Sequence, residues 1–115
     1  MIRLLKSKFI FNMNMGGDMD KKTLAALKRS IEKWEGNASG RYVRTGVYDC
    51  PLCGLFWNDR CSGCPVQART GSKYCKASPY GYAAQAREGG DAMLFRKASQ
   101  KEVEFLKSLL PEGEK

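Results

Sequence analysis

A chain of 115 residues with a formal charge of +8, twelve glycines, five cysteines and no histidine fits one small domain, burying roughly two thirds of its unfolded surface. The missing histidine excludes Ser-His and Cys-His dyads, His-containing zinc centres and His-metal nucleases. No stretch has the roughly 18 apolar residues of a membrane span, so nothing here places the chain in a membrane.

Residues 1–18 are expected to be an arm outside the folded domain, with a single domain over 19–111. The start, Met1 to Phe11, superficially suggests a signal peptide, but Asn12 and Asn14 interrupt the apolar run and no small-residue cleavage site follows. The expectation is therefore a cytoplasmic protein. Repeated methionines at Met13, Met15 and Met19 raise the alternative that the first dozen or more residues precede the natural start.

A first helix begins at Asp20, which is placed to be an N-cap, and Leu24, Leu27, Ile31 and Trp34 recur at helical spacing. That stripe makes Trp34 a core residue, and Gly36 is the expected stop. Residues 41–48 read as β-forming, through Tyr42, Val43, Val47 and Tyr48. Leu55-Phe56-Trp57 followed by Asn58-Asp59 reads as the strand and turn of a short hairpin. Ser78-Pro79 looks like a helix entry, with Tyr82, Ala83 and Ala86 facing inward and Gly89-Gly90 as the stop. A last helix starts near Asp91 or restarts at Ser99, where Ser99-Gln100-Lys101-Glu102 has the form of a capping box. Val103, Leu106 and Leu110 share its buried face, and Pro111 ends it. The fold class these elements imply is a small α+β zinc-stabilised domain, two or three helices packed on a short four-cysteine zinc hairpin.

Chemistry concentrates in Cys50-Pro51-Leu52-Cys53 and Cys61-Ser62-Gly63-Cys64. Two Cys-x2-Cys turns aim four sulfurs at one ion, and four protein ligands leave no open position for water or substrate. One structural Zn2+ per chain on Cys50, Cys53, Cys61 and Cys64 is the expectation, with a rubredoxin-like iron as the alternative occupant. Disulfides compete with metal, although an odd number of cysteines and no sign of an oxidising compartment weigh against them. Cys75 is a substitute ligand, giving Cys53, Cys61, Cys64 and Cys75, a thiol buried beside the site, or a reactive thiol whose pKa is lowered by Lys73 and Lys76. The acidic residues read as solvated helix faces, Glu102 and Glu104 alternating with Lys101 and Lys107. No catalytic residue is assigned.

Basic residues gather in the middle of the chain, Arg41, Arg44, Arg60, Arg69, Lys73 and Lys76 against Asp49 and Asp59. Interleaved aromatics offer stacking platforms, with Tyr48, Phe56 and Trp57 assigned to the core and Tyr42, Tyr74 and Tyr80 to the surface. These nine residues form the expected surface for nucleic acid or for an acidic host protein.

The run Cys50-x2-Cys53, Cys61-x2-Cys64-Pro65-Val66, Thr70-Gly71-x3-Cys75 and Ser78-Pro79-Tyr80 resembles small cysteine-rich proteins encoded by bacteriophages and prophages. The likeness extends over about residues 20–111 and leaves residues 1–18 outside. It implies a phage accessory protein and no particular reaction. The functional expectation is a non-enzymatic protein that binds nucleic acid or a nucleic-acid-handling host protein. Its rivals are direct inhibition of a host defence protein, and a thiol or iron-tetrathiolate redox protein.

Overall fold

A computed structural model of the chain describes residues 19–41, 50–72, 75 and 78–115. Every regular element among the described residues is helical: α1 (Lys21–Ser39), α2 (Pro51–Phe56), α3 (Pro65–Thr70), α4 (Tyr80–Glu88) and α5 (Ala92–Lys107), with short 3-10 turns at Trp57–Asp59 and Glu112–Glu114. The α+β expectation, and the zinc hairpin with it, is overturned. Leu55-Phe56-Trp57 is the end of α2 running into a 3-10 turn, because the peptide after Cys50 closes helical bonds, beginning with Gly54 N–H to the Cys50 carbonyl at 3.0 Å. The β-forming stretch at 42–48 lies outside the described residues, and Arg41 is an exposed bend.

Helix α1 begins as the sequence indicates. The Asp20 carboxylate accepts from the Thr23 N–H at 2.8 Å and is held below the usual carboxylate range by that bond. Its stop is later than Gly36, which is buried within the helix. Gly40, at φ +80°, ends it with the paired bonds of a Schellman motif: Arg41 N–H to the Gly36 carbonyl at 3.0 Å and Gly40 N–H to the Asn37 carbonyl at 3.2 Å. Arg96 of α5 adds a cap from outside, its Nε donating to the Ala38 carbonyl at 3.3 Å and a terminal nitrogen to the Ser39 carbonyl at 3.2 Å.

Helix α5 starts at Asp91, whose carboxylate accepts from the Leu94 N–H at 3.0 Å, and passes through Ser99 without a restart. Arg69 of α3 reaches the far end of α5 and donates to the Ser108 hydroxyl at 3.3 Å and carbonyl at 3.2 Å. The Ser78-Pro79 entry holds one residue later than expected, since α4 starts at Tyr80 and Tyr82 is 73% exposed rather than inward.

Helix α1 packs against α5, α4 against α5, and α2 against α1. Leu27, Ile31 and Trp34 of α1 meet Phe95, Val103 and Leu106 of α5, closed by Ala83 of α4. Leu52 and Val66 are the only fully buried aliphatic side chains that α2 and α3 contribute among the described residues. Buried polar side chains, Ser30, Asn37 and Ser99, are also part of this interior. No helix among the described residues is long and apolar enough to cross a membrane.

Candidate metal centre

All five cysteines and Glu102 line one cavity of about 30 Å3 enclosed by α1, α2, α3, α5 and the chain leading into α4. Short-range helical geometry delivers the sulfurs. Cys50 is the N-cap of α2 and Cys53 lies one turn on, a spacing that brings both side chains to one face. Cys64 occupies the same place before α3, with Pro65 in its first turn, as Pro51 is in α2.

Cys61 reaches the cavity through a backbone that few side chains accept. Arg60 at φ +53° and Cys61 at φ +69° are consecutive left-handed residues. The turn is fastened by Cys61 N–H to the Phe56 carbonyl and Cys64 N–H to the Cys61 carbonyl, both at 3.0 Å. Gly63 at φ +90° completes it, and a Cβ there would meet the Phe56 ring at 3.2 Å. Cys75 is left-handed too, at φ +62°, with its carbonyl accepting from the Ser78 hydroxyl at 3.0 Å. Each such non-glycine residue costs roughly 1–2 kcal/mol, and strain of this kind gathers where a site demands a fixed side-chain position.

The cavity favours thiolate at one end. Cys50 is pushed well down by the hydrogen bond it shares with the Cys53 thiol, helped by the Lys33 ammonium and the Ser30 hydroxyl, while Cys53 is pushed up by the same bond and by burial. Ser30 Oγ lies 3.8 Å from Cys50 Sγ. Burial raises Cys64 against the pull of the Val66 and Gln67 N–H groups. Burial and the charge on Cys50 take Cys75 to about 12, which weighs against the reactive-thiol alternative and for a structural one. Lys73 and Lys76 lie outside the described residues.

Glu102 is the residue that sequence reasoning missed. Placed on a solvated face by its alternation with lysines, it is 2% exposed, and burial lifts its pKa to about 7 against the Ser78 hydroxyl and the Tyr80 N–H. One carboxylate oxygen, Oε1, has no hydrogen-bond partner among the described residues. The signal was its register: Phe95, Ser99, Glu102 and Leu106 recur at helical spacing on the buried face of α5. Lys33, also buried, sits across the cavity with its ammonium 5.2 Å from the Trp34 ring centroid.

No protein-family model matches the chain, and neither a curated protein nor a solved structure matches it. The chemistry of the cavity has to be argued from its residues.

Five thiols, a carboxylate and a nearby cation are the donor set and charge environment of a thiolate metal site. The donors fit in kind and in number. They are not gathered into a shell, since no group of three or more Cys, Asp or Glu side chains among the described residues stands in metal-holding geometry. The Cys50–Cys53 thiol contact takes its place.

The expected binding surface falls only in part within the described residues. Tyr42, Arg44, Lys73, Tyr74 and Lys76 lie outside the described residues, while Arg41 and Arg60 are exposed. Arg69 is committed to the end of α5. Tyr80 is partly buried against the core, packed edge-on against Trp34 with centroids 6.0 Å apart. Trp57, expected in the core, is 47% exposed, and Phe56 is half-buried beside the cavity.

Proposed function

We propose that this chain is a non-enzymatic metal-holding protein in which Cys50, Cys53, Cys61 and Cys64 bind a structural zinc ion. The observation that carries the reading is that every thiol in the chain lines one small cavity. Thiols, a carboxylate and a buried lysine around one small cavity are a lining that suits a metal ion. Zinc bound there would cross-link α2, α3 and the turn between them, and the protein's own part is to hold thiolates in place with Ser30 and Lys33 beside Cys50. Elemental analysis of protein purified under reducing conditions should find at least one zinc per chain, lost in Cys53→Ser and Cys61→Ser. Protein without zinc or iron overturns the reading.

The resemblance to phage-encoded proteins supports an accessory role exerted by binding a partner, and exposed Arg41 and Arg60 keep nucleic acid as the partner class. Salt-sensitive binding of nucleic acid at low ionic strength, weakened by replacing Arg41 and Arg60 together, tests it.

A second reading has its own support. Cys50 and Cys53 are hydrogen-bonded thiols at the start of α2, with Cys50 pushed down and Cys53 pushed up by that bond, which is the arrangement of a dithiol that exchanges with disulfides. In that exchange the Cys50 thiolate attacks a partner disulfide, releasing one partner thiol, and Cys53 then attacks the Cys50 sulfur of the mixed disulfide, releasing the second partner thiol and leaving a Cys50–Cys53 disulfide. Metal-free protein that forms a reversible Cys50–Cys53 disulfide with glutathione would favour this alternative.

A further inference from the structure

We propose that the thiol cavity is built for two divalent metal ions, with Glu102 and Cys75 supplying the donors that the two Cys-x2-Cys turns do not. The proposal rests on the metal reading above and extends it from one ion to two.

The donor count is the first argument. One tetrahedral zinc uses four ligands, whereas five thiols and the Glu102 carboxylate line this cavity. Two tetrahedral ions that share a pair of bridging thiolates need two terminal ligands each, six donors in all, and the cavity offers that number. Zinc accepts carboxylate oxygen alongside thiolate sulfur.

Glu102 is the second. Its Oε1 is buried with no hydrogen-bond partner among the described residues, in a side chain that is 2% exposed. Leaving a buried polar atom unpaired is costly, and such atoms in folded proteins call for a water, an ion or a function. The same carboxylate faces the cysteine cavity, so a cation there would satisfy it directly.

Cys75 is the third. It lies outside both Cys-x2-Cys turns, yet the chain bends into a left-handed conformation at φ +62° to bring it to the cavity. Ser78 fixes that bend, its N–H and hydroxyl both donating to the Cys75 carbonyl, at 3.2 and 3.0 Å. The two additional donors come from different elements, α5 and the chain leading into α4. Charge does not oppose the arrangement. A second divalent ion that arrives with one more thiolate and one carboxylate leaves the net charge of the site unchanged, and buried Lys33 lines the same cavity.

Bound zinc per chain, measured by elemental analysis and native mass spectrometry on wild-type protein prepared anaerobically with zinc, tests the proposal. Two zinc ions are expected in the wild type and one in Glu102→Gln and in Cys75→Ser, with helical circular dichroism unchanged. Glu102→Gln keeps the shape of the side chain and decides the matter alone if Cys75→Ser proves insoluble. One zinc in the wild type, or two in Glu102→Gln, overturns the two-ion proposal and leaves the single-zinc reading standing. Protein that takes up no zinc overturns both.

Discussion

The α1–α5 pair and the cysteine-bearing segment from Cys50 to Ser78 are stabilised by different means. Helices α1 and α5 run for 19 and 16 residues, each opened by an aspartate that accepts a backbone N–H, and each buries a full apolar face against the other. Helices α2 and α3 have six residues apiece, no side-chain N-cap bond and one fully buried aliphatic side chain each. Helices shorter than about 12–15 residues are marginal on their own. Three left-handed non-glycine residues, Arg60, Cys61 and Cys75, fall in this segment. Burial suffices for the first region and not for the second, which spends backbone strain to point sulfurs into a cavity. That imbalance is physically reasonable when a bound ion returns the free energy, since structural zinc in small modules contributes roughly 10–16 kcal/mol of apparent binding free energy.

Metal removal should therefore divide the molecule. Treating zinc-loaded protein with a strong chelator is expected to strip hydrogen-exchange protection from α2, α3 and the turns around Cys61 and Cys75, while α1 and α5 keep theirs. Uniform loss of protection would show that the two regions form one cooperative unit, and no change would show that the segment holds itself together without an ion.

Glu102 joins the two regions, and its ionisation gives a smaller, pH-dependent effect in metal-free protein. Its pKa is raised from 4.5 to about 7 by burial and by the charge on Cys50, so the folded state binds this proton more tightly than the unfolded chain does. Its contribution to stability is fully present below pH 4.5 and is lost as pH rises to about 7. Cys50 is shifted the other way, so the clean observable is the difference from Glu102→Gln. Urea midpoints from pH 4 to 8 should show the wild type losing ground to the variant as pH rises. A constant difference would mean that Glu102 does not titrate across that window.

The sequence made the long helices legible and the short ones opaque, for physical reasons. Asp20, the Leu27–Ile31–Trp34 stripe and the Gly89-Gly90 stop act locally, through caps and periodicity, and the first and last helices are where those signals put them. Segment 50–64 contains too few residues to show a period. Leu55-Phe56-Trp57 has high β-forming character, yet Pro51 at the start of α2 and the Gly54 bond to Cys50 make it helical. Glu102 was hidden because charge alternation with neighbouring lysines suggests a wet face, while its register with Phe95, Ser99 and Leu106 marks a buried one. Convergence of Cys75 on the two paired turns depends on the left-handed bend at its own backbone, which no local pattern announces.

The smallest effect is expected where α1 ends against α5, and it should leave the cysteine region untouched. Gly40 needs its left-handed φ of +80°, and a Cβ added there would lie 3.3 Å from the Arg96 guanidinium carbon. Gly40→Ala should cost roughly 1–2 kcal/mol for the backbone conformation, with a further increment from displacing Arg96. Arg96→Ala removes two hydrogen bonds to the Ala38 and Ser39 carbonyls and, at an exposed site, should cost about 1 kcal/mol. The two changes share one contact and should not add. In the Arg96→Ala background the alanine at position 40 meets no guanidinium, so the double variant should be less destabilised than the sum of the singles, measured by urea denaturation. Strict additivity would show that Arg96 moves aside freely, and a change in zinc content in any of the three variants would show that the two regions are not independent.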